Sequence, residues 1–363
     1  MLLSFDPSDS VFLIIRSFAS LCPSPVISSY ADPVAYQRAL VNHVLLSKHF
    51  ADYPPSERFQ RTFWKAIIDD LESHGQEVDE RIYERYLELL TTTSSRLLQG
   101  PPPPSYVTYL YTPDQTSSFR HPQSITLLES RTTIEAGTTG LRTWQASFVL
   151  ADWLVANQDV LKHKRVLELG SGAGFLGILV GQLQLEAQLG GSLVMTDVHS
   201  EVLERCARNL KLDCNGLAAH PSISLKSYDW FDSLLGSSMR SAAAERLIEG
   251  NPDLIIGTDL VYDPSIVPAL CATLKLVLSA SDHAEALLAL TVRRAETIVE
   301  FMTTCVDHGL EFDSMSLIPV SSGGFSATMP TDLHGVEEVR LLRLYNARRF
   351  GFPSSAGTGN CDQ

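Results

Sequence analysis

Cysteine is scarce and unpatterned in this 363-residue chain. Its six cysteines, Cys22, Cys206, Cys214, Cys271, Cys305 and Cys361, form no CxxC pair and no Cys/His spacing suited to zinc. Neither a disulfide framework nor a bound metal is expected, and the thiols read as reduced groups of a cytosolic or nuclear protein. Long apolar runs are missing too, since none approaches the roughly 20 residues that span a bilayer. The run Val11-Phe12-Leu13-Ile14-Ile15 is short and follows acidic rather than basic residues, which does not suit a secretory leader. Positive charge is in deficit. With 28 Lys and Arg against 42 Asp and Glu, the formal charge of −14 argues against capture of a nucleic-acid backbone. No internal repeat is visible.

What is present suits a two-domain globular chain: 44% hydrophobic and 19% charged residues are enough to bury a core. Residues 1–98 read as helical. Asp32 before Pro33 is an N-cap with proline at the first helical position, opening a segment that runs to about His49. Ser56 can cap a second helix, in which Phe59, Phe63, Trp64, Ile67, Ile68 and Leu71 form one stripe and which Gly75 ends. Asp79 opens a third, with Ile82, Tyr83, Tyr86, Leu87, Leu89 and Leu90 along one face. Such stripes need partners, so three or more helices packed together are expected, as a stabilising or docking module.

Pro101 to Pro104 mark a linker at 99–104, and a second domain follows at 105–352. Residues 353–363 lack apolar anchors and read as a disordered tail. In the second domain Tyr106–Tyr111 and Ile125–Glu135 suit an antiparallel pair, and Gly140–Val155 an amphipathic helix. From Arg165 onward strands are expected at 165–169, 192–197, 223–228, 253–259, 285–292, 311–318 and 339–346. Helices fit at 174–186, 199–213, 264–279 and 294–308. The stretch 232–250 is ambiguous, and Gly323–Gly335 reads as a loop. This alternation predicts an α/β fold with a mostly parallel sheet covered on both faces, its last two strands pairing antiparallel at an edge.

The first buried strand runs straight into Glu168-Leu169-Gly170-Ser171-Gly172-Ala173-Gly174. Glycines there let the chain turn sharply and bring its backbone against a ligand, at the strand end where open α/β sheets bind one. Gly172-Ala-Gly174-Phe-Leu-Gly177 is also a literal GxGxxG, which by itself suits a dinucleotide. Glu168 weighs against that, because a negative charge beside the loop opposes a pyrophosphate and favours the ammonium and sulfonium of S-adenosyl-L-methionine. Asp197, at the end of the next strand, can accept from both ribose hydroxyls of either ligand. Asp229-Trp230, after the third strand, can border an adenine ring.

The fourth strand delivers Gly257-Thr258-Asp259-Leu-Val-Tyr262 beside that loop. Asp259 can orient an acceptor amine and Tyr262 can wall its channel; positioning and removal of water matter most for an in-line methyl transfer. No Asn/Asp-Pro-Pro-Tyr tetrad is present, so planar amines are disfavoured as acceptors. The residues leave open an oxidoreductase, another acceptor (a different protein lysine, a histidine or a small amine) and a non-catalytic cofactor-binding module.

Gly140-Leu-Arg-Thr-Trp144-Gln-Ala-Ser, Leu167-Glu-Leu-Gly-Ser-Gly-Ala-Gly174, Thr196-Asp197, Asp229-Trp230 and Gly257-Thr-Asp259-Leu-Val-Tyr262 together resemble the seven-strand protein-lysine methyltransferases, in the same order. That resemblance implies a Rossmann-like class I methyltransferase sheet and an S-adenosylmethionine pocket lined by Trp144, Glu168, Gly170, Ser171, Gly172, Gly174, Asp197, Asp229, Trp230 and Thr258. It places Asp259 and Tyr262 on the lysine side. Phe12-Leu-Ile-Ile-Arg16 and Tyr53-Pro-Pro-Ser-Glu-Arg-Phe59 are similar to the extra N-terminal domain of the FAM86-like branch. The branch implies a cytoplasmic, monomeric enzyme with one protein substrate, translation elongation factor 2.

Overall fold

A computed structural model describes residues 10–22, 32–94, 101–112, 123–234, 242–318, 324–328 and 338–347. The expected tail at 353–363 lies outside them, as does all but 324–328 of the expected loop. No helix among the described residues is long and apolar enough to cross a membrane.

The short apolar run near the start is helix α1 (Ser10–Ala19), with Phe12, Ile14, Ile15 and Phe18 buried. Asp32 caps α2 (Pro33–Leu40) as expected, its Oδ1 accepting from the Val34 and Ala35 amides at 3.1 and 3.0 Å. The helix does not run unbroken to His49. It widens into a π-helical turn over Val41–Leu45, breaks at Leu46–Ser47, and restarts as α3 (Lys48–Asp52). The wider turn keeps Val41 and Val44 in the same core as Tyr36 and Leu40. Ser56 Oγ accepts from the Phe59 amide to start α4 (Glu57–Ser73), and Gly75, at φ +67°, closes it. Helix α5 (Glu80–Ser94) buries Ile82 and Leu89, whereas Leu87 and Leu90 of the expected stripe face outward. Phe18 lies at the centre of this layer, its ring 4.9–5.9 Å from those of Phe50, Phe59, Phe63 and Trp64.

Strands β1 (Ser105–Tyr111) and β2 (Gln123–Glu129) pair antiparallel, with Ser105 opposite Glu129. The second strand stops at Glu129 rather than at 135. From there the chain folds back on itself, the Ser130 amide bonding to the Leu141 carbonyl at 2.8 Å. Helix α6 (Gln145–Ala156) accordingly starts five residues later than the periodicity suggested, with Trp144 extended as its N-cap (φ −111°, ψ 165°).

The main sheet has seven strands: β3 (Arg165–Leu169), β4 (Ser192–Asp197), β5 (Ile223–Ser227), β6 (Leu254–Thr258), β7 (Glu285–Thr291), β8 (Leu310–Ser314) and β9 (Val339–Asn346). Their spatial order is β5-β4-β3-β6-β7-β9-β8. The first five are parallel; β9 runs antiparallel between β7 and β8, so the expected antiparallel pair forms one edge. Helices α7 (Phe175–Glu186), α8 (Ser200–Leu210), α10 (Val267–Leu278) and α11 (Ala295–Asp307) fall where expected. The ambiguous stretch holds a 3-10 turn at Trp230–Leu234 and the short α9 (Ala242–Ile248). Alternate strand residues feed opposite layers: Val166, Ile256 and Leu287 join one core with α6 and α7, whereas Leu167, Ile255 and Leu288 join another with α10 and α11.

The N-terminal helices share their core with Leu110 of β1. Arg16 of α1 is fully buried and donates to the Gly324 carbonyl. Asp152 of α6 accepts from the next two amides, Phe325 and Ser326, at 2.6 and 3.0 Å. Burial lowers the Arg16 pKa to about 10, opposed by the attraction of Asp152.

Phe63 is fully buried in the ring cluster. Phe63→Ala is expected to cost about 3–5 kcal/mol in denaturant unfolding, the sum of lost transfer energy and a cavity. A loss below about 1 kcal/mol would mean that this layer is not packed as described.

Candidate active site

Strand order reverses beside β3, and the crevice outside its C-terminal end is where such sheets hold ligands. Leaving β3, the chain turns through Gly170, Gly172 and Gly174, all at positive φ (64°, 54° and 98°). At Gly172 the glycine is also a matter of space: a Cβ there would come within 3.0 Å of the Gly140 carbonyl oxygen, which lies across the loop. Ser171 bonds to Thr196 through both its amide (2.8 Å) and its hydroxyl (3.0 Å), tying the loop to β4.

Asp197, at the end of β4, accepts from the Gly172 amide at 3.2 Å and the His199 amide at 3.2 Å. Burial raises its pKa, and these amides oppose the rise. Glu168 departs from expectation. It is buried, its Oε2 has no hydrogen-bond partner among the described residues, and burial lifts its pKa to about 8, against a bond from Ser171 and helped by Asp197. The fixed negative charge expected at this position is therefore largely absent near neutral pH while no cation is beside it. What Glu168 offers instead is a buried, unpaired oxygen that a cationic ligand group would satisfy.

Trp230 is half-buried in the 3-10 turn after β5, and Asp229 caps that turn, accepting from the Phe231 amide at 3.0 Å. Thr258 Oγ1 lies 2.7 Å from Ser147 Oγ of α6. Asp259 follows at φ +51°, a strained value for a non-glycine residue. Its amide donates to the Ala289 carbonyl and its Oδ1 accepts from the Thr291 amide, each at 2.9 Å, so β7 holds it in place. Its Oδ2 is buried without a partner. Tyr262 is 58% exposed at the rim. Trp144 donates from Nε1 to the Thr139 carbonyl at 3.0 Å, and the Arg293 guanidinium lies 4.9 Å from its ring centre.

A cavity of about 210 Å³ gathers Trp144, Glu168, Gly170, Ser171, Gly172, Asp197, Asp229, Trp230, Thr258, Asp259 and Tyr262. Gly174 is not in its lining and instead serves as the N-cap of α7. Thr138, Thr139, Gly140, Arg142, Thr143, Ser147 and Arg293 also face the cavity and were not among the expected pocket residues. Among the described residues no group of three or more His, Cys, Asp and Glu side chains could hold a metal.

A family model described as lysine methyltransferase matches residues 123–307, a span that runs from β2 to the end of α11 and includes every residue of the glycine loop. The chain belongs to that family. Among its relatives is the protein-lysine N-methyltransferase EFM3 of Chaetomium thermophilum, 34% identical over 260 residues, covering 71% of this chain and 73% of the relative. The human protein-lysine N-methyltransferase EEF2KMT is 31% identical over 277 residues, covering 75% and 76%. Among solved structures, a magnesium protoporphyrin IX methyltransferase from Synechocystis with bound SAM is similar at a TM-score of 0.36 and 16% identity, over 56% of this chain and 78% of that one. The protein is thus a protein-lysine N-methyltransferase with a Rossmann-like sheet, using S-adenosylmethionine as methyl donor. The oxidoreductase reading falls with that assignment.

Because the Glu168 pKa is raised in the folded chain, its neutral form stabilises the fold fully below the unfolded value and progressively less as pH rises through about 8. Glu168→Gln should therefore gain on wild type in ligand-free thermal melting as pH climbs from about 4.5 to about 8, then hold level. A difference independent of pH across that window would contradict the buried, neutral carboxyl.

Proposed function

We propose that this enzyme methylates a lysine of translation elongation factor 2 in the cytoplasm. Two relatives named EFM3 and EEF2KMT, matched over about three-quarters of the chain, support this substrate, as does the FAM86-like character of the N-terminal helices. The observation that carries the chemistry is Asp259: a strained residue held from behind by the Thr291 amide, with Oδ2 unpaired at the cavity wall.

When bound, S-adenosylmethionine supplies an electrophilic methyl group on a sulfonium sulfur. Backbone at Gly170–Gly172 would leave room for it, Asp197 would offer a carboxylate to ribose hydroxyls, and Trp230 would stand on the adenine side. Trp144, Asp229 and Thr258 complete the donor side of the wall. Asp259 Oδ2 accepts a hydrogen bond from the substrate amine and turns its lone pair toward the reacting carbon. Tyr262 would wall the channel at its rim. The amine would give its proton to solvent water before it meets the donor, and Asp259 Oδ2 would then hold the neutral nitrogen in place.

Incubation with labelled methyl donor and a lysate from cells lacking the enzyme is expected to label elongation factor 2 on a lysine. Label on another protein alone would redirect the substrate assignment. Asp259→Asn keeps an oxygen for the Thr291 amide and tolerates a positive φ. It should cut turnover about a hundredfold or more while S-adenosylhomocysteine binding changes less than about threefold. Full turnover in this variant would remove Asp259 from the mechanism.

A further inference from the structure

Residues 130–144 form a strap across the glycine loop. Its ends meet where the Ser130 amide bonds to the Leu141 carbonyl at 2.8 Å, and Glu135 and Thr138 pair through both amides at 3.1 and 3.0 Å. Inside it, the Gly140 amide donates to Thr138 Oγ1 and Trp144 Nε1 to the Thr139 carbonyl, each at 3.0 Å. Outside it, Arg205 of α8 reaches Glu135 at 3.2 Å. The face toward the cavity carries Thr138, Thr139, Gly140 and Trp144.

Beneath the strap, at the last position of β2, stands Glu129, only 1% exposed. One of its oxygens accepts from Thr143 twice, from the amide at 3.2 Å and from Oγ1 at 2.5 Å. The other accepts from Tyr109 Oη at 3.3 Å and Arg131 Nη2 at 3.2 Å. A buried carboxylate is expensive, and an apolar side chain of the same volume would fill the space at lower cost. What an apolar residue cannot do is hold the Thr143 backbone amide one residue ahead of Trp144. That hold fixes where the strap stops and α6 starts, and so fixes the direction from which the indole enters the cavity. Arg131 and Tyr109 in turn fix the carboxylate, so the clamp is anchored to the β1–β2 pair and not to the strap alone.

We infer that Glu129 is a positioning residue for the methyl-donor site: its carboxylate clamps the strap at Thr143 and thereby sets Trp144 and the Thr139–Gly140 backbone against the bound donor. The inference rests on reading the cavity as that site. Of the residues that Glu129 hydrogen-bonds, Tyr109, Arg131 and Thr143, Thr143 alone lines the cavity, so its effect falls on donor binding and not on the transfer step.

The test is a comparison of full-length wild type with Glu129→Gln, Thr143→Val and the double variant. S-adenosylhomocysteine binding is measured by calorimetry, and KM for the methyl donor and kcat by transfer to the protein that wild type labels. Thr143→Val is close to isosteric and removes only the hydroxyl donor, so it remains informative if the Glu129 variant folds poorly. Both single changes leave the Thr143 amide an acceptor and weaken the rest of the clamp, Glu129→Gln by removing the carboxylate's charge and Thr143→Val by removing the Oγ1 donor. Each is expected to weaken S-adenosylhomocysteine binding and raise the donor KM by about tenfold. At saturating donor, kcat should stay within about threefold of wild type, and the double variant should be no worse than Glu129→Gln by more than about twofold, because both act through one contact. A merely architectural role would lower the melting temperature and leave the affinity of the folded fraction alone; binding within about twofold of wild type in both single variants overturns the inference. Wild-type protein that takes up no S-adenosylhomocysteine sinks the donor-site reading and this inference together.

Discussion

The contact on which the site depends is backbone against backbone: the Gly140 carbonyl lying where a side chain at Gly172 would have to go. It sets how close the strap and the glycine loop can approach, and both line the cavity. On one side the loop is tied to β4 through Ser171 and Asp197. On the other the strap is tied to β2 and α8. Neither element has room to change shape alone, so the cavity is largely formed before a ligand arrives.

Three of the carboxyl groups around this cavity are accommodated in different ways. Glu129 is saturated with donors. Glu168 has lost most of its charge through burial, with one oxygen unpaired. Asp259 has one oxygen satisfied by a backbone amide and the other left open. A saturated carboxylate holds structure, whereas an open one is available to a ligand. The strain at Asp259, offset by the Ala289 and Thr291 bonds, belongs to the same pattern of functional groups held in costly positions by a rigid sheet.

Much of this was legible in the residues. Strands 165–169, 192–197 and 339–346 form over the expected spans, because buried strands flanked by strong turn signals declare themselves locally. Eleven of the twelve candidate site residues, all except Gly174, line one cavity. The failures share a cause. Thr132, Thr133 and Ile134 have the β-branched look of a strand, yet they ride on the surface of the strap, with Ile134 64% exposed. Leu141 and Trp144 fall at helical spacing with Phe148, yet Thr143 is held out of the helix by Glu129, 14 residues earlier. Local periodicity cannot register such a partner. Nor could it show that Arg293 would meet Trp144 across the cavity mouth, or that Glu168 would be too buried to stay charged.

The turn at Gly324–Ser326 carries a consequence of its own. A cation from α1 and an anion from α6 both grip it, Arg16 at the Gly324 carbonyl and Asp152 at the two amides that follow. Asp152 already has its pKa raised by burial, and Arg16 is one of the groups pulling it back down. Trimming the chain at its start would therefore do more than remove exposed surface. It would also take away a cation that offsets the burial of Asp152, in the middle of α6 one turn beyond Phe148. The leading helices and α6 are in that sense soldered together by charge through one short turn.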